Sequence, residues 1–473
     1  MLLLPEHMFG DIIKVRSPRQ SAAGKEKVPG RHRMAKGGRG MCSNERAGER
    51  NLHANGKAKK QGIVFHIDVN SAYLSWEAAY RIQHGDPLDL RNIPSIVGGD
   101  PAERRGIVLA KSIPAKKFGI KTGEAVGAAL HKCPDLMVVK PRYTLYKECS
   151  EAMIEVLKEY SPQIQQYSID ECFLDYKGMK DHFPDPITTA HKIKKRIFAE
   201  LGFTVNIGIS TNKLLAKMAS ELKKPDKIHT LFPEEVPDKM WCLPVEELFM
   251  VGRATAKKLH ERGIFTIRDL ARYDKSLIKP WLKSHGVMIW NYANGIECSP
   301  VKGDVIPIKG VGNSTTIPFD ICESRKAHLV LLSLAEKVSA RLRQTDLLGE
   351  VLTVSLKTDE LDSYSHQKRL ELPTNCTDVI YQGAVQLFEE AWKQEPLRHL
   401  GIRLSELCSS DFQQLTIHDG ALEKKTKMDQ VVDQIRKRYG SKVLIRSCFL
   451  HADIKPMSGG TTEEDYPMMS SVL

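Results

Sequence analysis

The sequence predicts a multidomain α/β protein, and three observations carry that expectation. From Ile63 to about residue 232, short β-prone runs alternate with stretches of helical apolar spacing. From 307 to 410 the expected elements follow the order β-α-β-β-α-β. The chain of 473 residues is long enough for roughly two to four such units, each with its own core.

Taken in order, residues 1–61 stand apart. They are rich in Gly, Ser, Lys and Arg, lack apolar periodicity, and hold 14 Lys+Arg against 5 Asp+Glu. A disordered basic leader is expected there; the other reading is that the true start is Met34 or Met41. Residues 63–67 form an apolar, β-prone run that stops at Asp68, as a buried strand would. Leu74, Ala78 and Ile82 then have helical spacing. Strands are expected at 164–168, 171–176 and 203–210, with helices near 145–160 and 188–201. Residues 233–300 change to short helices with turn signals. In 307–410, Leu331, Leu334, Ala335, Val338 and Leu342 mark a helix, and 351–357 alternates Leu352, Val354 and Leu356 with polar residues. A strand near 364–372, a helix near 378–392 and a strand near 400–407 complete that unit. Beyond it, one helix at 427–439 and a frayed polar end are expected.

Composition narrows the function classes. With 41% apolar and 27% charged residues, collagen-like, disordered and membrane classes are disfavoured. The apolar run Met1–Leu4 is too short for a secretory signal, and no later run reaches the ~18 apolar residues of a membrane span. None of the ten cysteines forms a C-x-x-C pair, which argues against a zinc ribbon or redox motif and for reduced thiols in the cytosol. The net charge of +12 hints at an anionic partner, but +9 of it lies in residues 1–61, leaving +3 for the rest.

The chemistry begins with separated acidic sites at strand ends. Asp68 closes the first strand; Asp170 and Glu171 sit at the tip of an expected hairpin in Tyr167-Ser168-Ile169-Asp170-Glu171. Carboxylates converging in a low-dielectric site repel, and a cation relieves that cost. All-oxygen ligands suit Mg²⁺ or Mn²⁺, and two such ions can align a hydroxyl and a triphosphate. A turn-former or helix-cap role is the alternative for each carboxylate taken singly.

The surrounding residues resemble a known family. Ile67-Asp68-Val69-Asn70-Ser71-Ala72-Tyr73 with Glu77, then Tyr167–Glu171, is similar to the paired signature of the Y-family (translesion) DNA polymerases. Asn206 to Lys213 and Leu215 to Ser220, ending in Lys223-Lys224-Pro225, resemble the family's next block. The style is that of the bacterial UmuC/ImpB/DinB group, and the resemblance runs from about 63 to 439. It implies a right-hand architecture: palm at 62–71 and 138–232, fingers at 72–137, a helix-hairpin-helix thumb at 233–306, a little finger at 307–410 and a tail at 411–473. It implies template-directed, Mg²⁺-dependent addition of deoxynucleotides to a primer, with Mn²⁺ as a possible substitute, and error-prone synthesis past lesions.

By the same resemblance, Asp68 and Asp170 hold both metals, Glu171 completes the site near the primer 3′-hydroxyl, and the Val69 carbonyl adds an oxygen. Tyr73 is implied as a steric gate against a ribose 2′-hydroxyl, with core packing as the alternative. Ser71, Ala72 and Tyr73 border the nucleotide, and Lys116 and Lys224 reach its phosphates. The fingers block departs from the family's pattern at Ile113 and Lys116, where Tyr and Arg are common; lysine lacks arginine's planar fork. Gly252, Arg253, Lys257 and Lys258 fit a helix-hairpin-helix that grips DNA phosphate. Residues 307–410 carry −2, so DNA binding there needs basic residues gathered on one sheet face; Arg341, Arg343, Lys357, Lys368, Arg369 and Arg403 are the candidates. Gln414, Leu415 and Ile417 sit in a degenerate clamp-binding peptide, with an ordinary linker as the alternative. The expected partners are primer-template DNA, dNTPs and a sliding clamp; a cytoplasmic, nucleoid-associated monomer without a membrane is expected. A noncatalytic DNA-binding scaffold and a palm-type nucleotide cyclase are the rival classes.

Overall fold

The computed structural model describes residues 62–99, 106–179, 181–303, 308–410, 419–441, 443–450, 452–454 and 456. The expected leader at 1–61, the clamp peptide with Gln414, Leu415 and Ile417, and the polar end past 456 lie outside the described residues. The strands are β1 (Val64–Val69), β2 (Ser95–Gly98), β3 (Val108–Lys111), β4 (Met137–Val139), β5 (Ile164–Gln166), β6 (Glu171–Asp175), β7 (Val205–Ser210), β8 (Ile228–Thr230), β9 (Gly310–Ile321), β10 (Leu347–Thr358), β11 (Ser363–Thr374) and β12 (Leu397–Ser409). The multidomain α/β expectation holds: the described residues form three sheets, each with helices against it.

The first sheet positions the acidic residues. Its order is β5-β6-β1-β7-β8, with β1 at the centre and antiparallel to both neighbours. β1 is buried on both sides. Phe65, Ile67 and Val69 enter the large core with the helices Ala72–Gln83, Tyr143–Lys158 and Pro186–Leu201. Successive strand side chains point to opposite faces, so Val64, His66 and Asp68 look the other way. That second face lies under the helix Lys213–Glu221, which approaches closely: a Cβ on Gly208 would stand 1.9 Å from the Ala216 carbonyl. Glycine is needed at 208 for that approach.

Two expected boundaries shift for local reasons. The strand expected at 164–168 stops at Gln166, because the Tyr167 and Ser168 amides both donate to Glu171 O and close the turn. The strand expected at 203–210 starts at Val205, because Gly202, at φ +78°, ends the preceding helix and Phe203 leaves that turn. The small sheet β3-β2-β4 has its own core around Ile96, Val108, Ile120 and Val126.

Residues 233–303 fold as short helices around Leu248, Leu259, Ile267 and Ile289. Thr266 and Asp269 make a reciprocal cap on the helix Ile267–Arg272. The last sheet, ordered β11-β10-β12-β9, realises the expected β-α-β-β-α-β unit. Its helices Ser324–Gln344 and Thr377–Ala391 cover one face only. The final helix starts at Asp419, eight residues before its expected start, since its first turns are too charged to show apolar periodicity.

Candidate active site

The sheet register brings two of the expected carboxylates face to face. Asp68 on β1 lies directly opposite Glu171 on β6 and, on its other side, opposite Asn206 on β7. Asp170 occupies the turn before β6, where its carbonyl accepts the Val69 amide at 3.0 Å and its Oδ1 accepts the Ser168 hydroxyl at 2.6 Å. The carboxylates whose oxygens lie within 4.8 Å of one another are Asp68, Glu171 and Glu221; Asp170 is not in that group.

Two lysines neutralise this centre. Lys224 Nζ donates to Asp68 Oδ1 and to Glu221 Oε1, each at 2.8 Å. Lys217 Nζ meets Glu171 Oε2 at 2.5 Å, beside the adjoining rings of Tyr167 and Phe249. His66, fully buried, places Nε2 3.5 Å from the same Glu171 oxygen and Nδ1 2.8 Å from Ser220 Oγ.

Burial and pairing pull the acids apart. Burial pushes the Asp68 carboxyl up to about 7, against the opposing pull of Lys224. Burial also raises Asp170, opposed by the Ser168 hydroxyl. Burial would raise Glu171 as well, but His66 and Lys217 outweigh it and hold that carboxyl far below its usual range. Burial lowers His66 to about 4, which keeps it neutral.

The helix Lys213–Glu221 carries Lys217 and Glu221 one turn apart, with Ser220 between them. Asn206 anchors the loop beyond that helix: its Nδ2 donates to the Ser220 and Lys223 carbonyls, and its Oδ1 accepts the Lys227 amide. The loop bearing Lys224 is therefore tied to the strand residue opposite Asp68. Sequence reading missed Glu221, Lys217, His66 and Asn206. The Lys217–Glu221 spacing was the available signal for two of them.

Tyr73 packs against neighbouring rings, as the core alternative expects. It is half-buried and stacks on Tyr146 at 4.8 Å and 12°, with Trp76 and Tyr143 nearby. Ser71, exposed at φ +50° and ψ +50°, turns the chain into the helix that carries Tyr73; Ala72 beside it is buried. Lys116 is exposed on the short helix Ile113–Lys117, capped by Ser112. Ile113 is exposed as well.

The two DNA-facing expectations resolve differently. Gly252 opens the helix Arg253–His260 at φ −84°, so it supplies no left-handed turn; that conformation falls on Met250, at φ +71°. Gly252, Arg253, Lys257 and Lys258 are exposed, while Ala256 and Leu259 face the core. On the last sheet, register puts Lys357, Arg369 and Arg403 on the uncovered face with Thr353, Ser355 and Gly401. Arg369 is paired there with Glu350 and Glu406. Lys368 reaches Gln386 on the helical side. Arg343 is buried against Asp429 and Asp433, and Arg341 reaches the Gly312 carbonyl.

Strand pairing thus gathers Asp68 and Glu171, and the following helix and loop deliver two lysines to them. Residues 67–221 match the impB/mucB/samB family model, and residues 308–417 match that family's C-terminal domain. A DNA polymerase IV of Clostridium acetobutylicum is 46% identical over 398 residues, covering 83% of this chain and 99% of that protein. DNA polymerase IV 2 of Bacillus subtilis is 35% identical, covering 83% and 96%. A Y-family DNA polymerase chimera (Dbh-Dpo4-Dbh) shares the fold, with a TM-score of 0.66 and 23% identity over 73% of this chain and 99% of that one. The chain belongs to the impB/mucB/samB family, the DinB-like branch of the Y-family DNA polymerases. Among the described residues no helix is long and apolar enough to cross a membrane.

Proposed function

We propose that the chain extends a DNA primer by template-directed nucleotidyl transfer, as a translesion polymerase of the Y family. Family membership over most of the chain supports the class. The observation that carries the site assignment is the direct pairing of Asp68 with Glu171 at the strand ends, with Asp170 in the adjoining turn. The scaffold alternative loses ground to this intact acidic set, and the cyclase alternative to the polymerase relatives.

The residues fit divalent cations. Every side-chain donor is a carboxylate oxygen, burial favours the neutral form of Asp68 against the pull of Lys224, and two ammonium groups already lie against the cluster. Asp68, Asp170, Glu171 and the Val69 carbonyl would hold Mg²⁺, which supplies charge neutralisation for the triphosphate and acidity for the primer hydroxyl. The chain's own residues do the rest. Lys224 and Lys116 offer cations to the phosphates. Tyr73, backed by Tyr146, presents a flat edge to the sugar. The exposed amides after Gly252, with Lys257 and Lys258, take DNA phosphate, and Lys357 and Arg403 offer a second basic contact from the uncovered sheet face.

The unit boundaries follow: palm 62–71 and 138–232, fingers 72–137, thumb 233–306 and little finger 307–410. A clamp contact through Gln414, Leu415 and Ile417, a monomeric state and residence at the nucleoid belong to the same reading. Primer extension with single dNTPs on intact and damaged templates tests it. Asp68→Ala and Asp170→Ala should each reduce extension by a factor of about 10³ or more. Extension surviving either substitution would remove that residue from the site. Tyr73→Ala should admit ribonucleotides; unchanged sugar discrimination would remove the gate. Deletion of 413–418 should weaken binding to the clamp in a pull-down with the purified ring.

A further inference from the structure

This inference rests on the reading of Asp68 and Glu171 as cation ligands. Lys224 has two acceptors in this structure, both at 2.8 Å, and they differ in kind. Asp68 is buried, with a side chain 7% exposed, while Glu221 is 45% exposed. A divalent cation arriving at Asp68 meets an ammonium already seated there. Two positive charges on one carboxylate repel strongly in a partly buried site, and that repulsion drives the ammonium off Asp68. Its backbone cannot follow, because Asn206 holds the Lys223 carbonyl and the Lys227 amide on either side. Only the side chain is free to move, and Glu221 is already in contact with it. Lys217 is placed otherwise, seated on Glu171 beside two adjoining aromatic rings.

We propose that Glu221 is a positioning residue for Lys224. It receives the ammonium when a cation takes Asp68, and it keeps that ammonium beside the cluster for the triphosphate. Lys224 thereby serves as the resident counter-ion of Asp68 until a cation arrives, and Glu221 lowers the cost of displacing it.

Mn²⁺ binding by the full chain, without DNA or nucleotide, tests this through the paramagnetic resonance signal of the free ion. Glu221→Gln should weaken binding about tenfold, because Lys224 then sits on Asp68 alone. Lys224→Met should tighten binding, since the competing charge is gone. In the Lys224→Met background, Glu221→Gln should cost about threefold or less. An equal or larger loss there would overturn the proposal, because Glu221 would then act on the ion directly. So would an undiminished affinity in Glu221→Gln, or an untightened one in Lys224→Met. Asp68→Asn separates the underlying reading: if Mn²⁺ binding survives it, the ligand assignment fails, whatever Glu221 does. Thermal unfolding in chelator verifies that each variant folds, and Lys224→Gln replaces Lys224→Met if the latter does not.

Discussion

Asp68 lies one residue before the end of a strand buried on both faces, where a negative charge is costly. Its carboxyl binds a proton in the fold at a pH where the unfolded chain has lost it, since burial raises the folded value to about 7. The cation-free protein therefore loses this contribution to stability as pH rises from about 4 to 7. A cation at Asp68 relieves the cost only where the carboxyl is ionised. The rise in melting temperature on adding Mg²⁺ should be larger at pH 8 than at pH 6, and Asp68→Asn should erase the difference; calorimetry at the two pH values checks it. Asp68 was legible in the sequence because it follows an apolar run, and Asp170 and Glu171 because they sit at the tip of an expected hairpin. The residues that tune them were not. His66 and Asn206 come from paired strands and Lys217 from the helix packed on them, and only the folded arrangement shows that they converge.

At the scale of elements, the helix Lys213–Glu221 and the loop after it work as one delivery device for the lysines. Two close contacts fix it to the sheet: the bare Gly208 under Ala216, and the hydrogen bonds of Asn206. Gly208→Ala should destabilise the protein by about 2–3 kcal/mol, because backbone must shift. Asn206→Ala should cost about 2–3 kcal/mol by stranding buried polar partners, and should raise the dNTP KM by loosening Lys224. Denaturant melts and steady-state kinetics check both. Apolar alternation placed β1, β7 and the β-α-β-β-α-β unit well. It says nothing of the turn before the helix Arg253–His260: glycine is the usual left-handed residue, yet Met250 takes that conformation while Gly252 begins the helix.

For the whole molecule, net charge does not mark a binding surface on the described residues. Residues 1–61 carry +9 of the +12, and the unit at 307–410 is net negative. Its basic residues divide by strand register, with Lys357, Arg369 and Arg403 on the uncovered face and Lys368 on the other. Sequence alone could not make that division, because it depends on a bulge-bearing register between three strands. Removing residues 1–61 should flatten the salt dependence of DNA binding, by about one unit of slope for each phosphate no longer neutralised, while single-turnover incorporation at saturating DNA stays unchanged. Binding titrations across a salt series check this.

The segment after the last strand has a practical consequence. Phe449 and Ile454 belong to the core under β9–β12, Asp429 accepts the Thr377 amide at a helix start, and Arg436 and Arg446 both reach the buried Glu336. A recombinant fragment trimmed at residue 410, where the sheet ends, would leave Glu336 and Arg343 as naked charges in a half-open core. Expression boundaries for crystallisation therefore belong past Ile454, and an affinity tag is better placed upstream of Gly62 than on a shortened carboxyl end.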